Sequence, residues 1–378
     1  MRFHHRSLIA LVFVLLSSAV AAKPRARDLG VPFDGTPGAL NAITDVAGVE
    51  VGQTTIIRGE GKLVVGEGPV RTGVTVIFPR GKTNHASVFG GWFALNGNGE
   101  MTGTAWLDEA GILDGPIGLT NTHSVGLVRD TIIRWQVLHA NKPEIWWSLP
   151  VVAETWDGWL NDLNGFHVKP EHVLAALDGA KGGPVDEGGV GGGTGMICHE
   201  FKGGIGTASR VAHGQTVGVL VQANYGLRRQ LRIAGVPVGQ EIPEGAFRPD
   251  EDGSIIVVIA TDAPLLPHQL KRLARRASLA LGRMGSISGD GSGDIFVAFS
   301  TANTVPVEPG KPGTVQLMNT EDLGPVFTGV VEATEEAIVN ALVAAEDMTG
   351  RDDHVIKALP HDKLREILKK YGRLVEKK

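Results

Sequence analysis

A single cysteine, Cys198, stands in 378 residues, so no internal disulfide can form, and a chain of this length needs none to build a core. Nothing in the charge balance is strongly basic. Thirty-six lysines and arginines face 41 acids, which argues against nucleic acid as a partner. After the first residues, no apolar run approaches the roughly 20 positions a membrane-spanning helix needs, so no membrane partner is expected. Internal repeats, heptad arrays and low-complexity tracts are missing too. The 52 glycines are spread among apolar runs, which is the composition of a globular α/β chain.

Several familiar motifs are also lacking. The glycine run at residues 187–195 has no Gly-Lys-Ser/Thr and no G-x-G-x-x-G register, so a flexible loop whose amides line a nearby site is expected there instead of a nucleotide cradle. His199-Glu200 opens like a zinc motif, but the next histidine is His213, and His167 with His172 lacks a third ligand. No metal or cofactor is expected. Cys198 and His199 are adjacent, so their side chains diverge in a strand, and Cys198 reads as a small packed residue. Neither G-x-S-x-G nor S-x-x-K surrounds any serine. A dispersed Ser-His-Asp triad stays open, because its members need not be neighbours.

What is present begins with a secretory signal. Arg2 and Arg6 precede the apolar run Leu8–Leu16, and Ala19-Val20-Ala21 forms a small-residue cleavage site. The expected mature chain is residues 22–378, periplasmic or secreted. Loss of two arginines moves the formal charge from −5 to −7. Short β-branched runs predict buried strands at residues 74–78, 217–221, 254–260 and 295–299. Leu270, Leu273, Ala274, Ala277 and Leu281 predict one amphipathic helix. Further helices are predicted over 125–140, from Glu332 to about Ala345, and from His361. Residues 181–195 and 305–313 read as soft points within one large domain.

The most informative stretch is Gly289-Asp290-Gly291-Ser292-Gly293-Asp294, running directly into the apolar strand Ile295–Phe299. Glycine's freedom in backbone angles would let Ser292 bend its hydroxyl back to the Gly291 carbonyl. The Gly291–Ser292 bond would then cut itself, and the new Ser292 α-amine would serve as base for its own hydroxyl. Glu154, an acid after an apolar run and beside Trp156, is suited to a substrate ammonium, with the indole as apolar wall and cation–π partner. Asn224, at the end of a buried strand, could donate to an oxyanion or simply form a turn.

With these residues in view, the chain resembles the DmpA-like L-aminopeptidase/D-esterases and β-peptidyl aminopeptidases, peptidase family S58, over nearly the whole mature length. The resemblance runs through residues 38–46, 90–100, 119–126, 154–157, 221–224, 292–303 and 332–337. It implies a four-layer αββα sandwich of the Ntn-hydrolase-like type. It also implies self-cleavage into residues 22–291 and 292–378. The activity implied is removal of N-terminal residues from short peptides, amides or esters with a free amine, β- or D-residues among them. Ser292 maps to the nucleophile, Asn224 to the oxyanion donor, Glu154 to the amine-binding carboxylate and Trp156 to a pocket aromatic that is tyrosine or tryptophan in the family. A Ser-x-Glu pair supports the nucleophile in the family. No serine stands in that helix here, and Thr334 with Glu336 keeps the spacing, while Ala333 with Glu335 keeps no hydroxyl. A homo-oligomer of processed pairs, tetrameric in the family, is also implied. Two rivals remain: an acyltransferase related to ornithine acetyltransferase, and a non-catalytic exported binding protein that would stay uncut.

Overall fold

The computed structural model describes residues 23–139, 146–305 and 312–376. The leader at residues 1–21 and most of the 305–313 soft point lie outside the described residues. In chain order the strands are β1 (Glu50–Arg58), β2 (Val70–Phe78), β3 (Val88–Ala94), β4 (Ile112–Leu113), β5 (Ile117–Asn121), β6 (Val152–Thr155), β7 (Ile197–Cys198), β8 (Phe201–Lys202), β9 (Gly204–Ala212), β10 (Gln215–Asn224), β11 (Ser254–Thr261), β12 (Asp294–Ser300), β13 (Met348–Thr349) and β14 (Val355–Ile356). The helices are α1 (Thr104–Ala110), α2 (Val125–His139), α3 (Pro170–Gly179), α4 (Val238–Glu241), α5 (Pro267–Ala274), α6 (Ala277–Met284), α7 (Gly324–Val343) and α8 (His361–Lys370).

Two mixed sheets carry the fold. One orders β1-β2-β5-β6 and the other β4-β3-β12-β11-β10-β9. Both are antiparallel except for β5–β6 and β11–β12. Alternation along the strands sends side chains to opposite faces, and three apolar layers result. Ile77, Leu119 and Ala153 meet Leu220, Val258 and Val297 between the sheets. Val74, Val76 and Val152 face Val128, Ile132 and Ala176 of α2 and α3 on one outer side. Val219, Val257 and Phe296 face Leu273, Leu281 and Val330 of α5, α6 and α7 on the other. Helix, sheet, sheet, helix is the αββα sandwich the resemblance implies.

The four predicted strands fall inside β2, β10, β11 and β12. The single helix predicted through Leu270–Leu281 is two, broken at Arg275-Arg276. These two arginines turn outward over aromatic rings, Arg275 5.0 Å from the centroid of Phe93 and Arg276 4.0 Å from that of Phe327. The expected flexible loop at residues 187–195 is a buried spacer. Gly192 packs so tightly that a Cβ would lie 2.2 Å from Gln222 Oε1 and 2.8 Å from the Leu119 carbonyl. Its amides serve the fold, with Gly191 N–H donating to Thr55 Oγ1 (2.9 Å) and Gly192 N–H to Thr75 Oγ1 (3.1 Å). Cys198 is buried and unpaired, and burial pushes its thiol up to about 12, as suits a packing residue.

Candidate active site

Ser292 sits two residues before Asp294, the partner of Ile255, where β12 enters the sheet parallel to β11. The Gly289 carbonyl accepts the Ser292 N–H at 2.9 Å, closing a tight turn over residues 289–292. Glycine acts here through close approach, with no left-handed backbone at positions 289, 291 or 293. A Cβ on Gly291 would lie 2.8 Å from Asp252 Oδ1, and one on Gly293 would lie 2.4 Å from the Asn98 carbonyl oxygen. The left-handed residue is Ser288, at φ 54°. Ser292 is fully buried, and its hydroxyl has no hydrogen-bond partner among the described residues.

The chain beyond β3 runs back along the nucleophile. Leu95 N–H donates to the Asp294 carbonyl (2.9 Å), and Asn98 N–H donates to that of Ser292 (3.1 Å). Gly99 then bridges to the acid. A Cβ there would meet Gly293 Cα at 3.2 Å and Glu154 Oε1 at 3.3 Å. Glu154 is the penultimate residue of β6 and is only 3% exposed. Glu100 N–H and the Thr122 hydroxyl donate to its two carboxylate oxygens. Burial holds its pKa above the ordinary carboxylate value despite those donors. A buried carboxylate with so few partners is under-compensated and favours a cation beside it.

Next to it, Trp156 is 39% exposed, and its indole folds over Gly158, where a Cβ would lie 2.5 Å from the ring. Glu154, Trp156, Gly291, Asn98, Ser254 and Arg248 share a cavity of about 470 Å³. That space suits one or two amino-acid residues, with an acid at one wall and an indole beside it. Larger cavities elsewhere touch none of these groups. The chemistry marks the site.

The structure thus brings Ser292, Gly291, Glu154 and Trp156 together. Asn224 pairs with Ser254, whose hydroxyl accepts the Gly293 N–H at 3.0 Å, so it sits two strands from the nucleophile. Its amide is oriented by Ile197 N–H donating to Oδ1 (2.8 Å) and by Nδ2 donating to the Trp156 carbonyl (2.9 Å), which leaves one Nδ2 hydrogen uncommitted among the described residues. Neither Thr334 nor Glu336 makes a hydrogen bond to Ser292. Thr334 Oγ1 is buried with no hydrogen-bond partner among the described residues. Glu336 is held by Arg27 (2.7 Å to each oxygen), Asn41 (2.6 Å) and Arg210 (2.7 Å). Arg210 pairs with Val217, seven positions along β10 from Asn224 and so roughly 23 Å of strand away. In this structure Glu336 has a structural setting: its carboxylate neutralises two arginines that tie the N-terminal segment to α7. Glu335, the alternative, pairs with Arg283 at 2.7 Å.

Sequence reasoning missed Asn98, Thr122, Ser254 and Arg248 at this cavity. The Asn96-Gly97-Asn98-Gly99 run at the end of an apolar strand was the available signal for the first.

The sequence matches Peptidase family S58 over residues 41–356. The chain belongs to peptidase family S58. Among curated relatives, the S58 chain is 55% identical to the β-peptidyl aminopeptidase BapA of Sphingosinicella microcystinivorans, covering 99% of this chain and 100% of that one. It is 53% identical to BapA of Sphingosinicella xenopeptidilytica over 96% and 95%. Among solved structures, the L-aminopeptidase D-Ala-esterase/amidase of Ochrobactrum anthropi superposes with TM-score 0.88 at 50% identity, covering 93% of this chain and all of that one. That structure is described as a prototype of the serine aminopeptidases and a variant of the Ntn hydrolase fold. A Burkholderia sp. β-aminopeptidase gives TM-score 0.85 at 51% identity over 92% and 99%. This S58 peptidase is therefore an aminopeptidase of the N-terminal-nucleophile serine type, and Ser292 fits that nucleophile.

Proposed function

We propose that this S58 peptidase is exported, cuts its own Gly291–Ser292 bond, and then removes N-terminal residues from short peptides, β-residues included. The observation that carries the reading is Ser292 at the joint of turn and strand, beside a cavity walled by the buried acid Glu154. In the cut enzyme Ser292 Oγ attacks the first carbonyl of the substrate, and its own α-amine, with an ordinary pKa of about 8, takes and returns the proton. Glu154 binds the substrate's ammonium, so only the first amide bond reaches the hydroxyl. The free Nδ2 hydrogen of Asn224 is the donor suited to the oxyanion of turnover. A β-residue places its amine one carbon further from the carbonyl, and identity above one half to β-peptidyl aminopeptidases supports that class.

The rival acyltransferase reading would normally use threonine as nucleophile. The binding-protein reading needs no cut. Intact mass and N-terminal sequencing of the wild type beside Ser292→Ala decide between these. A small chain beginning Ser-Gly-Asp-Ile in the wild type alone supports the proposal. A single uncut wild-type chain would remove the amine base and the mechanism with it. Hydrolysis of β-alanyl and L-alanyl p-nitroanilides by the cut enzyme then ranks the two residue classes.

A further inference from the structure

The segment that precedes the nucleophile is gripped residue by residue. The Ser286 hydroxyl donates to Glu251 Oε1, and Ile287 N–H (3.3 Å) and Gln230 Nε2 (2.9 Å) donate to Oε2. The Ser288 hydroxyl donates to Asp294 Oδ2, while Ile255 N–H donates to Oδ1 at 3.2 Å. Asn96 Nδ2 reaches the carbonyls of Ser288 (3.2 Å) and Gly289 (2.6 Å). Gly291 itself bridges in parallel to Asp252. These contacts hold a left-handed Ser288 and a tight turn in one geometry, with the 291–292 peptide at its exit.

One contact falls on a reacting atom. Asn98 Nδ2 donates to the Gly291 carbonyl oxygen at 3.0 Å. The backbone of Asn98 is fixed independently, because its N–H is bound to the Ser292 carbonyl at 3.1 Å. Asn224, by contrast, spends its contacts on Trp156 and Ile197. We propose that Asn98 is the catalytic oxyanion donor of self-cleavage, distinct from the donor that serves substrate turnover. The inference rests on the self-processing reading above.

In the step, Ser292 Oγ bonds to the Gly291 carbonyl carbon and the carbonyl electrons move onto its oxygen, towards Asn98 Nδ2–H. The C–N bond then breaks, and the hydroxyl proton passes to the departing Ser292 nitrogen. An ester and a free α-amine result. Water cleaves the ester, leaving the Gly291 carboxylate and the Ser292 hydroxyl. A donor already 3.0 Å from the ground-state oxygen tightens as charge develops, the condition for a preorganised oxyanion site. Departure of Gly291 frees Asn98 on the cavity wall and so links maturation to the opening of the substrate site.

The test is the maturation rate of the full chain, followed by intact mass during cell-free synthesis, for wild type, Ser292→Ala, Asn98→Ala and Asn98→Asp. Asn98→Asp keeps the shape and loses the donor. Both Asn98 variants should mature about a hundredfold more slowly, in the range that loss of one oxyanion donor gives elsewhere, while melting like uncut Ser292→Ala. If Asn98→Ala fails to melt cooperatively, the Asp variant decides. Maturation of Asn98→Asp at the wild-type rate overturns the assignment. A wild type that never matures overturns the self-processing reading instead, and the two failures are distinguishable in the same mass spectra.

Discussion

Glu154→Gln separates recognition from chemistry at this site. The carboxylate is 3% exposed, and burial raises its pKa, so the fold maintains a poorly compensated acid beside the nucleophile. A hydrogen bond between charged groups contributes about 1.5–3 kcal/mol, which at about 1.4 kcal/mol per decade is roughly a 10- to 150-fold rise in KM. Because the ammonium is held in the ground state and transition state alike, kcat should change little. The assay is steady-state hydrolysis of β-alanyl p-nitroanilide and its N-acetyl analogue. Below the acid limb set by the Ser292 α-amine, the wild-type kcat/KM profile should steepen a second time at a pH above the ordinary carboxylate range, and that second slope should vanish in the variant. The stability sign is opposite to that of a salt-bridged acid. The folded state holds this proton more tightly than the unfolded chain, so stability falls as pH rises from the unfolded towards the folded pKa, and the glutamine variant should be at least as stable at neutral pH. An unchanged KM, or equal wild-type hydrolysis of the acetylated substrate, refutes the assignment.

Glu336→Gln should act on stability. Its carboxylate lies 2.7 Å from Arg210, with both side chains 1% exposed, and unpairing such a group costs about 3–5 kcal/mol by urea unfolding. Although burial alone would raise it, the arginines hold the Glu336 pKa below the ordinary value, so this stability is present above the unfolded pKa and lost as pH falls through the folded one. A stable variant with an altered kcat profile would restore a catalytic role. Lys202 is fully buried, its ammonium reaching the carbonyls of Met196 and Gly203 at 2.9 Å, and burial lowers its pKa to about 7. The unfolded chain therefore binds the extra proton above neutrality. Wild-type stability should rise from about pH 7 to 10 relative to Lys202→Met, as read from urea midpoints across that range. Gly206→Ala should destabilise by about 1–3 kcal/mol or more, because its Cβ would lie 1.9 Å from the Ala337 carbonyl and force α7 off β9, lowering the melting temperature.

Much of this protein was legible where the determinants are local. The β-branched runs at residues 217–221, 254–260 and 295–299 became β10, β11 and β12, because a short continuous apolar run suits a strand buried on both faces. Ser292 could be read from its neighbours, since a turn feeding a strand is a short-range feature. The break between α5 and α6 was not legible. An unbroken helical period passes through Arg275 and Arg276, and the rings they lie over, Phe93 and Phe327, are remote in sequence.

The same division holds at the site. Composition and pattern by themselves determined a layered α/β chain, a serine at a strand entrance and an acid beside an indole. Tertiary structure alone decided which carboxylate is left without a cationic partner among the described residues and which is consumed by arginines. Glu154 and Glu336 are both buried acids, and what distinguishes them is Arg27 and Arg210, brought in from 309 and 126 positions away. It likewise placed Asn98 on the Gly291 carbonyl across 193 residues. Hydrogen-bond partners and dielectric surroundings are set by which strands lie side by side, and no window of sequence contains that information.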